Sequence, residues 1–378
     1  GAVLAAGAIT AMPFQAFAQR SPEFAYSAEK WATLRDNKLE FDEISDLVHE
    51  YNPTVVQNEI SYKDYLTKNR DDVAQDYYDK ANEIYSNISY PDSDDANYGS
   101  GVAAALRNEQ QAKSLMEQGD ENTDDQATMR IQYDQAEARL AKQAEGLMIT
   151  YWTQYYNLDS AKARIAQAKL SCQSEQNRLA AGMSTQAKVL SAKESVSNAE
   201  AALVTAESNL ASTKESLCLM LGWTYGAAVE VGPLPEPELD RIAAIDPEAD
   251  VERGLENSYS LKILQKQLAN AAYGSTRDKL EQSLKSQRES AANGIKNSYR
   301  NLLLAKDNYD QALQAFALEQ DNMRAAETKM AAGTITPNAY QKQQTSYAVA
   351  ETSVKTKQLD LLNAQVDYDW AVNGLAGS

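Results

Sequence analysis

The chain has 378 residues and a formal net charge of −18, which argues against nucleic acid and anionic membrane surfaces as partners. Its length suffices for two ordinary domains or one elongated domain. Proline is scarce and bunched: none lies between Pro91 and Pro233, between Pro247 and Pro337, or after Pro337. The proline-free stretches are rich in Ala, Gln, Glu, Lys and Leu, so we predict an all-α fold built from long helices.

The first residues have the character of a targeting segment. Residues 1–18 are apolar and end in Ala16-Phe17-Ala18, the small-x-small pattern of a signal-peptidase site. We therefore expect a signal-peptide remnant that is cleaved after Ala18, and a protein secreted across the cytoplasmic membrane. A buried N-terminal helix is the alternative. Residues 19–38 are interpreted as an N-terminal extension. No other uncharged apolar run reaches the length of a membrane span, so we expect no transmembrane helix.

The next segment is the opening of an internal repeat. Residues 39–60 resemble residues 246–268, with Asn52-Pro53 aligned to Ser258-Tyr259 at an offset of 206 residues. After the first copy come two loop-like stretches, residues 90–101 and 117–125, which we expect to flank a short helix. The second copy has only a turn near Gly274 at that place. The first repeat therefore carries about 55 additional residues.

Apolar residues then recur at every seventh position on either side of Gly182. They are Tyr151, Leu158, Ile165, Cys172 and Leu179, followed by Val189, Val196, Leu203, Leu210 and Leu217. The same ladder surrounds Gly333, at an offset of 151 residues. It consists of Leu302, Tyr309, Phe316, Met323 and Met330, followed by Tyr340, Tyr347, Val354, Leu361 and Tyr368. A strict seven-residue period indicates coiled-coil packing. We expect the ladder to be buried between helices, including Leu203, Leu210, Val354 and Leu361.

Each ladder is interrupted once, by "RLAAGMST" in the first copy and "KMAAGTIT" in the second. Glycine supplies the left-handed conformation with which many helices end. Ser184 or Thr185 in the first copy, and Thr336 with Pro337 in the second, are placed to begin the next helix. We therefore predict two antiparallel αα-hairpins. A kink within one continuous helix is the alternative.

Between the two copies lies "GPLPEPELDRIAAIDPEAD", a proline-punctuated linker that we expect to cross without helix. The boundaries that follow are residues 39–222 for the first repeat, 223–248 for the linker and 249–378 for the second repeat.

No catalytic or metal-binding pattern stands out in the sequence. His49 is the single histidine, and Cys172 and Cys218 belong to no ligand spacing. On extended helices these two cysteines lie roughly 15 and 54 Å from the first turn, too far apart for a disulfide. The acidic residues are interpreted as solvated helix faces rather than as a catalytic carboxylate pair. We expect no enzyme, no cofactor and no metal.

The order and duplication of these motifs resemble the TolC-like family of outer-membrane efflux proteins, the outer membrane factors. The resemblance covers about residues 39–375 and rests on the opening with Asn52-Pro53, the two glycine turns and the "PLPEPE" linker. It implies two tandem TolC-like repeats of elongated coiled-coil hairpins, in a homotrimer whose helices close into an α-barrel. It also implies an exit duct for tripartite efflux or type I secretion-like export. In that family the hairpin tips dock on a membrane-fusion adaptor, which is fed by an ABC-type or similar transporter.

One feature of that family is missing from the sequence. Its repeats insert strands that span the outer membrane and that read as roughly ten-residue segments of alternating polarity. No such segment occurs in residues 51–150 or 259–302. We therefore expect a variant without a direct membrane span, in the extracytoplasmic envelope of a Gram-positive-type bacterium. A secreted coiled-coil spacer or adhesin without transport activity is the alternative function.

The two turns are the predicted contact sites for the adaptor, because an apex with few side chains lets another helical tip approach closely. The predicted contact residues are Arg178, Gly182, Met183, Ser184, Lys329, Gly333, Thr334 and Ile335. Arg178 and Lys329 lie about one helical turn before the glycines. They either cap the last helix carbonyls or reach the adaptor.

Overall fold

The computed structural model describes residues 20–94, 97–271 and 274–377, so the predicted signal-peptide remnant lies outside the described residues. The described ranges contain twelve α-helices and two very short strands. They are α1 (Ala28–Leu34), β1 (Lys38–Leu39), α2 (Ile44–Tyr51), α3 (Pro53–Tyr65), α4 (Arg70–Ser86), α5 (Tyr98–Asp120), α6 (Gln126–Ala180), α7 (Gln186–Met220), β2 (Glu230–Val231), α8 (Leu239–Ala243), α9 (Pro247–Asn257), α10 (Tyr259–Asn270), α11 (Ser275–Ala331) and α12 (Pro337–Trp370). Short 3₁₀ or π-helical turns lie at Glu23–Ala25, Phe41–Glu43 and Ala371–Leu375. The all-α prediction is confirmed.

Four long helices form the main body of the chain: α6 with 55 residues, α7 with 35, α11 with 57 and α12 with 34. Helices α6 and α7 pack as one antiparallel hairpin and α11 and α12 as another, which confirms the two predicted hairpins. Helix α6 also packs along α12. The long helices therefore lie side by side in the order α7–α6–α12–α11, with α7 and α11 at the two edges of this layer.

The short helices repeat in the same order ahead of each hairpin. Asn52 begins α3 and accepts hydrogen bonds from the backbone of Thr54 (2.9 Å) and Val55 (3.2 Å). Ser258 begins α10 in the same way and accepts from the backbone of Leu261 at 3.3 Å. The two capping residues are 206 positions apart, and both are buried. The opening segments of the repeats thus share one arrangement, in which a buried polar side chain links two short helices.

The heptad ladder is buried unevenly. Leu361 is fully buried in a core that also contains Leu302 from α11 and Ile242 from α8. Leu203 and Leu210 are only half-buried. Two paired helices cover just the seam between them, so a ladder residue becomes fully buried only where a further element packs over the pair. The prediction is therefore confirmed for Leu361 and wrong for Leu203, Leu210 and Val354, which are half-buried within a single protomer.

The linker between the repeats is more ordered than expected. The prediction that it crosses without helix is wrong, because Leu239–Ala243 forms α8 and buries Ile242 in the core. Strand β2, also in the linker, pairs in parallel with β1. Trp152 of α6 donates its indole N–H to the carbonyl of Gly232 at 2.9 Å. These contacts fasten the linker against the N-terminal segment and against α6.

The additional residues of the first repeat form a helical hairpin of their own. The prediction of a short helix here is wrong, since α5 has 23 residues and pairs with α4 along its length. Small residues of α5 make the close approach possible: Ala105, Ala112 and Gly119 recur at every seventh position and are buried. At Gly119 a Cβ atom would come within 2.5 Å of the Tyr78 ring. The α4–α5 hairpin therefore depends on side chains of minimal size.

Cys172 and Cys218 are both free and buried, as part of the apolar packing of the first hairpin. Within the ranges that the structure describes, no helix combines the length and the apolar character that a bilayer span requires.

Candidate functional site: the hairpin tips

The turn between α6 and α7, residues 181–185, is called the first tip. Gly182 has a φ of +73°, in the left-handed region. Its backbone N–H donates to the carbonyl of Leu179 at 2.9 Å, and the N–H of Met183 donates to the carbonyl of Arg178 at 2.8 Å. These two bonds define a Schellman motif, which reverses the chain while it pairs the last helix carbonyls. The alternative of a kinked continuous helix is thereby excluded here.

The turn between α11 and α12, residues 332–336, is the second tip and has the same backbone geometry. Gly333 has a φ of +69°. Its N–H donates to the carbonyl of Met330 at 3.0 Å, and the N–H of Thr334 donates to the carbonyl of Lys329 at 2.9 Å. The hydroxyl of Thr334 donates to the same carbonyl at 3.0 Å. The predicted repetition of one turn at two places in the chain is confirmed at the level of individual hydrogen bonds.

The returning helices begin with threonine caps. The hydroxyl of Thr185 accepts from the N–H of Lys188 at 3.4 Å, and that of Thr336 accepts from the N–H of Ala339 at 3.2 Å. Pro337 occupies the first position of α12, where its missing N–H costs nothing. Of the two caps considered for the first tip, the structure uses Thr185.

Ser184 belongs instead to a polar network of the first tip. Its hydroxyl donates to Oε2 of Glu175 at 2.6 Å, and Arg178 donates to Oε1 of the same carboxylate at 2.8 Å. The Ser184 hydrogen bond is the largest influence on Glu175 and, with the charges of Arg178 and Lys188, lowers the pKa of its carboxyl. Arg178 is thus paired with Glu175, while backbone amides take the terminal carbonyls. The expected capping role of Arg178 is not what the structure shows.

The apex of each tip is open. A Cβ atom added at Gly182 or at Gly333 would meet no other atom within 4 Å. Beside the first glycine, the Met183 side chain is 66% exposed, and Thr334 is exposed beside the second. Ile335 is half-buried. The second tip therefore presents backbone and the short side chain of Thr334, whereas the first tip adds the exposed side chain of Met183. At both tips the backbone of the glycine is open to the approach of another helical turn.

The two tips lie at the same end of the layer but at different heights. The hydroxyl of Thr345, twelve residues after the second glycine, lies 3.4 Å from the carbonyl of Ala163, nineteen residues before the first glycine. Asn338 and Gln167 are paired at 3.2 Å with an offset in the same direction. At about 1.5 Å per residue, the seven-residue difference of the first pair places the first tip roughly 10 Å beyond the second.

A groove lies behind each tip, between the two helices of its hairpin. The groove behind the first tip has a volume of about 510 Å³. It is lined by small and hydroxylated residues together with one acidic and one basic residue: Ala168, Ser171, Glu175, Lys188, Ser191, Ala192 and Ser195. The groove behind the second tip has a volume of about 460 Å³ and longer side chains. They are Gln320, Met323, Arg324, Glu327, Gln344 and Tyr347. The two tips thus share a backbone conformation but differ in the side chains that line the groove behind them.

The edge helices carry large apolar side chains that nothing in the protomer covers. On α7, Leu190 is 67% and Val204 65% exposed; on α11, Leu304 is 59% and Leu318 62% exposed. Each pair is fourteen residues apart, two heptads, so its members lie on one face of their helix. These four residues lie outside the predicted ladder, although their spacing is visible beside it in the sequence.

No group of three or more potential metal-ligating side chains is found among the residues that the structure describes.

The fold defined by this architecture is that of the TolC-like outer-membrane channels, as the resemblance predicted. Three solved structures illustrate it. A membrane protein from Pseudomonas aeruginosa matches over 88% of this chain and 93% of its own, with 12% identity and a TM-score of 0.55. The CmeC outer membrane channel of Campylobacter jejuni matches over 89% and 86%, with 8% identity and a TM-score of 0.54. The outer membrane protein VceC of Vibrio cholerae matches over 88% and 96%, with 11% identity and a TM-score of 0.53.

The sequence itself matches no protein-family model and no curated protein. At identities of 8 to 12%, the likeness to these structures concerns the fold alone.

Proposed function

We propose that this chain is the duct subunit of a tripartite efflux or type I secretion-like export system, and that it docks through its two tips on a membrane-fusion adaptor. One observation carries the proposal: the chain builds the same open Schellman turn twice, around Gly182 and Gly333, at the same end of one helical layer. A spacer or adhesin has no need of two such turns on one side. The fold shared with outer membrane channels supports the same function.

A duct requires that several copies close into a ring, and the edges of the layer are suited to this. Helices α7 and α11 differ from each other, so contact between them in neighbouring copies is heterologous and generates a ring if the rotation closes. Leu190 and Val204 on one edge, and Leu304 and Leu318 on the other, would then be covered. We propose a homotrimer, as the resemblance implies.

The partners follow from the tips. An adaptor that ends in its own helical hairpin would pack its turn against the exposed backbone of Gly182 and Gly333, and an ABC-type or similar transporter would supply the cargo. We place the duct outside the cytoplasmic membrane, in the envelope of a Gram-positive-type bacterium. The apolar residues 1–18 and the absence of membrane-strand patterns in the sequence support this location.

The oligomeric state in solution tests the duct against the spacer. Light scattering after size exclusion should give about 125 kDa, three times the 41.6 kDa of the chain. Val204→Asp should yield monomers with unchanged helix content, because a charge would be buried at the edge contact. Ala166→Asp, at an exposed position of the central helix α6, is the matched control and should remain trimeric. A monomeric wild-type chain would favour the spacer or adhesin.

A further inference from the structure

The two edges of the four-helix layer each carry a row of exposed apolar side chains. On α7 the row consists of Leu190, Val204 and Leu219, of which Leu219 is 43% exposed. On α11 it consists of Leu304 and Leu318, which are 59% and 62% exposed. Both rows are therefore available to a neighbouring copy of the chain, which is the contact that a closed ring requires.

The two rows match in direction and in spacing. Helix α7 runs away from its tip, whereas α11 runs toward its tip, so α7 of one copy and α11 of the next are antiparallel when they lie side by side. Leu304 and Leu318 are 14 residues apart, and Val204 and Leu219 are 15 residues apart. Such rows, about two heptads in step, resemble the facing seams of an antiparallel coiled coil.

The height of a residue is defined here as its distance along the helix axes from the level of the first tip. Val204 follows Gly182 by 22 residues, and Leu219 follows it by 37. At 1.5 Å per residue, Val204 has a height of about 33 Å and Leu219 a height of about 55 Å.

The residues on α11 have the same two heights. Leu318 precedes Gly333 by 15 residues, and Leu304 precedes it by 29. Because the second tip itself has a height of roughly 10 Å, Leu318 lies at about 33 Å and Leu304 at about 54 Å. Val204 is therefore level with Leu318, and Leu219 is level with Leu304.

Closure of a ring turns this agreement in height into contact. Each copy in a closed ring is related to the next by a rotation alone, so every residue keeps its height in all copies. A slip of one heptad between copies would shift the next copy by about 10 Å along the axis, and repeated slips would give an open filament. The heights within one protomer therefore fix the alignment of the contact between copies.

We propose that α7 and α11 of neighbouring copies pair in this one register, with Val204 against Leu318 and Leu219 against Leu304 of the next copy. The register rests on the ring of the proposed duct and adds to it the residues that meet. It also places Leu190, at a height of about 12 Å, beside the second tip of the neighbouring copy.

Charged side chains on the two edges do not decide the register. Glu194 of α7 is level with Lys329 of α11, and both are exposed, so this pairing is favourable. Glu215 is level with Asp307, which is unfavourable, although Oε1 of Glu215 accepts the N–H of Gly226 at 2.9 Å within its own copy. Water and salt screen such exposed charges, so their contributions are small in either direction. Burial of the apolar pairs therefore determines the alignment.

Cysteine cross-linking between copies tests the register. The matched double variants are Val204→Cys with Leu318→Cys, and Leu219→Cys with Leu304→Cys. The mismatched double variants exchange the same four positions: Val204→Cys with Leu304→Cys, and Leu219→Cys with Leu318→Cys. Matched positions are level, whereas mismatched positions differ in height by about 21 Å.

The cross-linker is a thiol-specific reagent about 11 Å long, the length of two helical turns, so it tolerates a displacement of one turn but not a height difference of four. Within one copy, three helix-to-helix spacings of about 9 Å each separate α7 from α11, so the reagent joins only different copies. The wild-type chain, with buried Cys172 and Cys218, measures the background. Light scattering and circular dichroism establish that each variant is assembled and helical before it is treated.

Both matched variants should lose their monomer band on a denaturing gel and give covalent dimers and trimers. Both mismatched variants should give no more cross-linked product than the wild type. An assembled protein whose mismatched variants cross-link as well as the matched ones, or whose matched variants remain monomeric on the gel, would overturn the register and leave the duct in place. A wild-type chain that is monomeric in solution would overturn both. If one matched variant does not assemble, the other decides by comparison with its mismatched control.

Discussion

The glycines at the tips are required by the backbone and not by lack of space. Gly182 has a left-handed φ of +73°, while an added Cβ would meet nothing within 4 Å. At Gly254 the opposite holds, since a Cβ would approach Cδ1 of Ile295 to 2.4 Å. A substitution at Gly182 therefore tests backbone strain, and a substitution at Gly254 tests steric crowding.

We expect Gly182→Ala to lower the free energy of unfolding by about 1 kcal/mol, because a Cβ disfavours the left-handed conformation. Gly182→Asn should cost less, since asparagine tolerates that region. Gly254→Ala, the control for crowding, should cost more than either. Urea denaturation of the three purified variants gives these values. An asparagine variant no more stable than the alanine variant would contradict the strain argument.

At the scale of the helices, burial differs along one ladder. Leu361 is covered by α8 and α11 residues in a common core, whereas Leu210 is half-buried in a hairpin with no further layer. Both are leucines at ladder positions of a returning helix. They form a matched pair in which only the covering elements differ.

Leu361→Ala should cost about 2–5 kcal/mol in unfolding free energy, as expected for a fully packed leucine. Leu210→Ala should cost about 1 kcal/mol, since roughly half of its side chain is already in water. Chemical denaturation monitored by circular dichroism compares the two. Equal losses would mean that another surface covers Leu210, and the edge contact between copies would be the first candidate.

The elements themselves were largely predictable because their signals are local. The seven-residue period and the glycines fixed both hairpins, and the structure ends α6 and α11 within two residues of Gly182 and Gly333. Helix α8 was missed because five residues cannot display a period. The half-burial of Leu203 depends on which element lies over the hairpin, which periodicity along a single helix does not contain.

The cluster of charged side chains around His49 was beyond prediction for a different reason. Arg20 and His49 are 29 residues apart in sequence, and His49 and Glu137 are 88 residues apart. Only the packing of α2 against α6 brings them together.

At the first tip, likewise, the choice of Thr185 over Ser184 as cap follows from Glu175 being in reach of the Ser184 hydroxyl.

At the scale of the whole molecule, the proposed docking on an adaptor rests on the exposed glycine backbone at the apex of each tip. We expect Gly182→Glu combined with Gly333→Glu to abolish binding to the membrane-fusion proteins of the host, because two charged side chains would stand where the partner's backbone approaches. Gly182→Asn with Gly333→Asn is the control for backbone strain and should retain binding. Pull-down of each adaptor by the purified duct measures both. A folded double-glutamate variant that binds as well as wild type would refute the docking role of the tips.

The difference in height between the tips has a consequence for how such a complex would be aligned. In a trimer, three tips would stand roughly 10 Å above the other three, in alternation around the ring. A partner ring of six hairpins that matches these heights would fit again after a rotation of one-third of a turn. It would not fit after one-sixth of a turn, because each partner hairpin matched to a higher tip would then face a lower one. The height difference would therefore halve the number of rotational positions in which the two rings can pair. It would also make the partner subunits alternate between two unequal positions around the ring.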